Sequence, residues 1–311
     1  MSWPFVGLED LRRRLEADLG QRRLHHALLL TGAVGVGKRS LARFLARALL
    51  CERKRELPLG CGECGPCLRV ERGQHSDVQI LRRPQGKTQI PVEQVRELLA
   101  LFARAELEGQ GRVAILEDVD ELGREGQNAL LKTLEEPEQR RWLLLTTSRP
   151  ELLLDTVRSR VQRLAVPALA SAELAELLRS ELGLEAGAAQ RLAEVSQGSL
   201  GRAKSLHAEG LEDWERRYAA LKSGQGGVEP WLRELFESLA SGDEGLRQAR
   251  RLRAERALAL ALVFAREEAH QGDPEAWSRV AAFLDAGRQL ARGLGAELVL
   301  RGLWDQLRGT S

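Results

Sequence analysis

The stretch TGAVGVGKRS, residues 31–40, decides the fold. It follows the apolar run 27–30 and opens a helical pattern that reaches Leu50. Strand, glycine-rich turn and helix in that order make a P-loop, in which successive backbone N–H groups and a helix N-terminus cradle phosphate oxygens. Gly32, Gly37 and Lys38 stand at the spacing G-x-x-x-x-G-K with Gly35 inside the turn, and Lys38 is placed to reach the outer phosphates. The next position breaks the pattern. A working P-loop puts a Ser or Thr hydroxyl there to hold Mg²⁺, whereas this chain has Arg39, and Ser40 comes one residue late, about 100° further round the helix. The loop is built for phosphate but carries a defect where hydrolysis needs a metal.

Working outward, residues 9–19 carry Leu11, Leu15 and Leu19 at i, i+4 spacing, an amphipathic helix leading into the first strand. Further strands are expected at 77–81, 113–116, 142–146 and 161–164, with helices at 92–102, after Pro91, and 125–134 between them. Strands alternating with helices predict a three-layer α/β unit with a parallel sheet over 1–165. Beyond Pro167 the strand signal stops. Helical patterns at 172–182, 188–196 and 200–208 make a small helical lid, 166–209, and those at 232–239, 246–270 and 277–294 make an all-α C-terminal unit, 210–311, interrupted by the Gly-rich link 223–227.

The chain has 311 residues, enough for two or three such units. Its 47 basic and 45 acidic residues leave a net charge of +2, so the footprint of a strongly basic nucleic-acid-binding protein is missing over the chain as a whole. The start, MSWPFVGLED, lacks a cationic region followed by an apolar core, and the longest apolar run, 257–265, falls far short of a membrane span. These features predict a cytoplasmic protein without a membrane partner.

All four cysteines fall in one excursion at 51–67, Cys51, Cys61, Cys64 and Cys67, in a C-x₉-C-x₂-C-x₂-C arrangement. The tight spacing lets thiolates converge on one tetrahedral ion, with Gly62, Gly65 and Pro66 supplying turns. Two disulfides or loose thiols are the alternatives, and the missing secretory signal favours structural Zn²⁺. The segment RVAILEDVDEL, residues 112–122, ends a strand in Glu117 and Asp118, where a nucleotide-dependent protein would hold Mg²⁺ and polarise water; a merely solvated strand end is the other reading. Thr146 and Thr147 end the next strand. His25 and His26 have no ligand partner at metal spacing and read as structural, and Trp214, Trp231, Trp277 and Trp304 read as core or subunit-interface packing residues rather than base-stacking ones.

The stretch NALLKTLEEP, residues 128–137, closely resembles the clamp-loader family of AAA+ proteins, and with the cysteine excursion the chain is similar to the bacterial DNA polymerase III clamp loader. Val6-Gly7, HALLLTGAVGVGK at 26–38 and TVRSRVQ at 156–162 match the same family, so the resemblance spans about the first 200 residues; AELVLRGLWDQL at 296–307 is compatible with the family's helical collar. The resemblance implies an ATP-binding domain, a lid and a collar that joins five subunits into a ring. Motor subunits have Thr after the P-loop Lys and the order Asp-Glu on the strand. Lys38-Arg39 and Glu117-Asp118 instead resemble the delta-prime, stator branch.

That branch implies a degenerate nucleotide site around Gly32, Gly35, Gly37, Lys38, Arg39, Ser40, Glu117, Asp118, Thr147 and Arg202, holding ATP or ADP without hydrolysing it, with Mg²⁺ in doubt. Arg160 matches the arginine of the family's Ser-Arg-Cys motif, with Val161 in place of Cys, and would act as a finger on ATP bound by a neighbouring subunit. Arg202, in GSLGRA at 198–203, is displaced by one position from the family's lid arginine. Implied partners are the motor (gamma/tau) subunits, the clamp-opening (delta) subunit, the sliding clamp and primed DNA, in a nucleoid-associated replisome. A working gamma/tau-like ATPase is the alternative, and a free-standing zinc-dependent DNA-binding protein a third.

Overall fold

The computed structural model describes residues 3–84, 87, 89–223, 226–236 and 243–308. The chain divides into two compact units, 1–202 and 203–311. The first opens with α1 (Glu9–Gly20), β1 (Ala27–Thr31) and α2 (Lys38–Leu50), then α3 (Gly65–Glu71), β2 (Val78–Leu81), α4 (Val92–Phe102) and β3 (Arg112–Leu116). It continues through α5 (Arg124–Glu135), β4 (Arg141–Thr147), α6 (Asp155–Arg158) and β5 (Gln162–Ala165) to α7 (Ser171–Leu182), α8 (Ala186–Ser196) and the start of α9 (Leu200–Glu209).

The five strands form one parallel sheet in the order β2-β3-β4-β1-β5. Successive side chains of a strand point to opposite faces, and both faces here are covered, which is why β1, β3 and β4 read as continuous apolar runs. Leu28, Leu30, Val113, Ile115 and Leu144 pack with Leu15, Leu41 and Leu45 on one side. Ala27, Leu29, Ala114, Leu116, Leu143 and Leu145 pack with Val95, Leu98 and Leu130 on the other. Because every strand runs the same way, their C-terminal ends share one edge, and the loop at 32–37 opens there, the usual ligand edge of such a sheet.

Within the cysteine excursion Gly65 and Pro66 do not make a turn. They open α3, with Pro66 in the first helical turn, where its missing N–H costs nothing. Gly62 does adopt the left-handed conformation of a turn, φ +76°.

The second unit is helical: the rest of α9, α10 (Leu211–Ser223), α11 (Val228–Phe236), α12 (Asp243–His270), α13 (Ala276–Ala291) and α14 (Ala296–Arg308). Of the sequence-predicted helix 232–239, residues 237–239 lie outside the described residues, as do 224–225 of the glycine-rich link. Trp214, Trp231 and Trp304 are buried, and Trp231 donates its indole N–H to the Arg217 carbonyl at 3.0 Å; Trp277 is exposed.

Candidate functional site

The loop between β1 and α2 is held by its own residues. Gly35 and Gly37 have φ of +80° and +99°, left-handed values that glycine adopts without a Cβ penalty. The first turn of α9 lies directly on this loop: the Ser199 hydroxyl donates to the Val34 carbonyl at 2.9 Å, and the Gly201 N–H donates to the Gly35 carbonyl at 2.9 Å. A Cβ on Gly201 would sit 2.9 Å from Gly35 Cα, and one on Gly35 would strike the Ser199 hydroxyl. Gly35→Ala is therefore expected to destabilise the chain by about 1–3 kcal/mol, since it combines a left-handed backbone with this clash. A urea titration checks it, and an unchanged midpoint would contradict the contact.

Lys38 is buried, with its ammonium donating to the carbonyls of Gly32 at 2.9 Å and Ala33 at 2.7 Å. Burial lowers its pKa, opposed by the charges of Asp118 and Asp120. The cation that a P-loop aims at phosphate is bonded here to the loop itself. Ser40 is exposed on α2.

The defect at position 39 has a structural counterpart. Glu117, at the exit of β3, has a side chain only 1% exposed, and two guanidiniums flank it: Arg39 Nε lies 3.2 Å from Oε2, and Arg43 Nη2 lies 3.2 Å from Oε1. Arg39 also donates to the Asp118 carboxylate. Burial works against the Arg39 charge, but the hydrogen bond to Asp118 and the charges of Asp118 and Glu117 outweigh it and raise its pKa. The reading of these carboxylates as a solvated strand end fails for Glu117. A long arginine on the first turn of α2 reaches the end of β3, and its charge stands where a divalent ion would. Mg²⁺ needs near-octahedral oxygen ligands at about 2.0–2.1 Å. Carboxylates already engaged by Arg39 and Arg43 do not fit that requirement.

Asp118 has φ +54° and donates its N–H to the Thr146 hydroxyl at 2.9 Å. The Thr147 hydroxyl donates to Asp120 at 2.6 Å and accepts the Arg149 N–H at 3.0 Å, while the Arg149 side chain meets Asp120 at 2.8 Å. Thr147 thus holds the turn after β4. Asp120 and Arg149 were not singled out from the sequence; an acidic residue two positions past a strand-end carboxylate was the available signal. Arg202 places its N–H on the Ser199 hydroxyl at 3.1 Å, beside the loop, while its guanidinium donates to Gln197 at 3.4 Å. His25 and His26 bond backbone atoms of Ala27 and Leu134, consistent with a structural role.

Arg160 sits elsewhere. It follows α6 and precedes β5, whose Gln162 pairs with Leu28 and whose Ala165 pairs with Thr31. It therefore lies at the strand-entry edge of the sheet, while the loop at 32–37 lies at the strand-exit edge, on the order of 15 Å away at the rise of a β-strand. Its guanidinium donates to the Thr156 carbonyl at 3.0 Å and the Ser159 hydroxyl at 3.2 Å, and pairs with Glu135 at 2.9 Å, while its side chain stays 36% exposed. Arg158 pairs with Asp155.

The four cysteines come together. Cys51 ends α2, Cys64 caps α3 and Cys67 lies within it. Their sulfurs all fall within 4.8 Å of one another, with Cys51–Cys61 at 3.6 Å, Cys51–Cys64 at 3.9 Å and Cys61–Cys67 at 4.0 Å. A disulfide would need about 2.05 Å. A tetrahedron with arms of about 2.3 Å has edges of about 3.8 Å, so the spacing fits a tetrahedral thiolate centre. Backbone N–H groups point at the sulfurs as they do at thiolates: Arg53 and Cys61 to Cys51 at 3.3 Å, and Cys64 to Cys61 at 3.4 Å. For Cys61, burial is opposed by the N–H groups of Glu63 and Cys64 and by the Cys64 and Cys51 thiols, which bring its pKa down to about 6, whereas burial raises that of Cys51. The donor set can hold a metal ion.

Comparison with known proteins agrees with this geometry. The sequence model of the family described as "DNA polymerase III, delta subunit" matches residues 7–170, more than half of the chain. DNA polymerase III subunit delta' of Pseudomonas aeruginosa is 37% identical over 204 residues, covering 65% of this chain and 62% of that protein. DNA polymerase III subunit tau of Escherichia coli is 36% identical over 206 residues, covering 65% of this chain and 31% of that one. The chain thus spans less than two thirds of the length of either. A DNA polymerase III gamma subunit-related protein of Thermotoga maritima, 18% identical, superposes over 97% of this chain and 98% of its own with a TM-score of 0.54, which shows a shared AAA+ fold. No helix among the described residues is long and apolar enough to cross a membrane. Parallel sheet, altered P-loop and sequence relatives converge, and the chain belongs to the delta-prime family of DNA polymerase III clamp-loader subunits.

Proposed function

We propose that this chain is a stator in a clamp loader: it occupies a place in a five-membered ring with motor (gamma/tau) and clamp-opening (delta) subunits, helps load the sliding clamp onto primed DNA, and does not itself turn over ATP. The observation that carries this reading is Arg39, whose guanidinium is engaged by Glu117 and Asp118. With its own carboxylates neutralised, the P-loop has lost the group that would hold Mg²⁺. The position of Arg160, at the sheet edge opposite the chain's own loop, supports action in trans on a neighbour's nucleotide. In this reading residues 1–165 are the AAA+ domain, 166–209 the lid and 210–311 the collar that joins the ring, and the cysteines hold structural Zn²⁺.

The test is ATP hydrolysis by the isolated chain and by a reconstituted ring whose motor subunits are inactivated. Background rates are expected in both. Hydrolysis that depends on Mg²⁺ and vanishes on Lys38→Ala would instead assign a working gamma/tau-like site. Titration with labelled ATP and ADP complements this, with any binding expected to be the same in Mg²⁺ and in chelator.

A further inference from the structure

At the strand-entry edge of the sheet, away from the P-loop, lies a cleft of about 850 Å³ between the ends of α1 and α2, the start of the cysteine excursion and the turns before β3 and β4. Its charged lining is Arg22, Lys54, Arg55 and Arg140 against Glu52 alone, and its floor is apolar, with Leu24, Leu49 and a half-buried Trp142. A chain that is almost neutral overall has concentrated cations here.

Part of that charge has a local use. The Lys54 ammonium donates to the Leu49 carbonyl at 2.7 Å and the Gln110 carbonyl at 3.1 Å, satisfying the end of α2, and Arg140 donates to the Gly109 carbonyl at 3.0 Å and pairs with Glu106. The C-terminal ends of α1 and α2 add roughly half a negative charge each. Arg22 and Arg55 remain, both exposed, and neither makes an ion pair with any described residue.

We propose that this cleft binds an acidic peptide segment of a partner protein, with an apolar side chain on the Leu24, Leu49 and Trp142 floor and carboxylates on Arg22 and Arg55. A nucleic-acid strand fits less well, because stacking successive bases needs several rings, and this recess offers one indole. The site is independent of the P-loop and of Arg160.

The probe is a fluorescein-labelled peptide with Asp and Glu on both sides of one Phe, titrated with the full chain and read by anisotropy. Saturable binding is expected, weakened about tenfold or more by the double variant Arg22→Glu, Arg55→Glu, whose exposed positions leave the fold and metal content unchanged. Replacing the peptide's Phe by Ala should weaken it similarly. No saturable binding, indifference to the double variant, indifference to the Phe, or displacement of the peptide by oligothymidylate at lower concentration would each overturn the proposal. Thermal unfolding of the double variant, unchanged from that of the parent chain, separates loss of the site from loss of the fold.

Discussion

Arg160→Ala, reconstituted into a complete ring, is expected to lower DNA-stimulated ATP hydrolysis by about 10³-fold or more at the neighbouring site on which Arg160 is proposed to act, since arginine fingers contribute about 10³ to 10⁵ in NTPases that use them. The guanidinium is suited to this. It is half-exposed, and its contacts with Thr156, Ser159 and Glu135 hold it in place while leaving a face open. Arg160→Lys should not restore the rate, because a point charge on a flexible stem cannot replace a planar, bidentate donor. The chain should still fold, since Arg160 is not among the buried residues, and assembly of the ring is read alongside the rate. Unchanged hydrolysis and clamp loading in the Ala variant would end the assignment, while loss of assembly would make Arg160 an interface residue instead.

Loss of the metal proposed for the cysteine centre is the second large perturbation. Cys67→Ser, or prolonged chelation, is expected to cost about 4 kcal/mol or more, because binding to a tetrathiolate site is coupled to folding of the segment that carries it. In a chain of this size that is a fall in Tm on the order of 10 °C. The effect should spread beyond 51–67, because Cys51 terminates α2 and Cys67 lies in α3, which packs against it. Proteolysis should open first in this segment. Metal binding should also weaken as pH falls, since the ligands are thiolates and acid protonates them. Elemental analysis should return one zinc per chain; no metal in the purified protein, or an unchanged Tm in Cys67→Ser, would overturn the assignment.

The sequence made the central sheet and both covered faces readable because the short continuous apolar runs of β1, β3 and β4 alternate with helical patterns. The cysteine spacing was equally readable, since its chemistry is local. What escaped is what depends on residues far apart. Nothing in GKRS says that Arg39 reaches a carboxylate 78 or 79 positions further on, as it does at Glu117 and Asp118. The same holds for Asp77 and Arg112, a buried ion pair at 3.1 Å joining the entries of β2 and β3, and for His75 and Arg69, which share Glu108. Gly65-Pro66 misled because the pair suits a turn and a helix start equally, and the cap at Cys64 decides between them. The basic cleft was hidden by averaging, since a net charge carries no position.

The cation at the end of β3 is tethered to the backbone. A dissolved ion fills its site in proportion to its concentration and leaves when a competitor or chelator takes it. A guanidinium on the first turn of α2 has no supply to exhaust and nothing to exchange with. The electrostatic state of this edge of the sheet is thus fixed when the chain is synthesised, and it is indifferent to the magnesium that a metal-dependent P-loop must wait for.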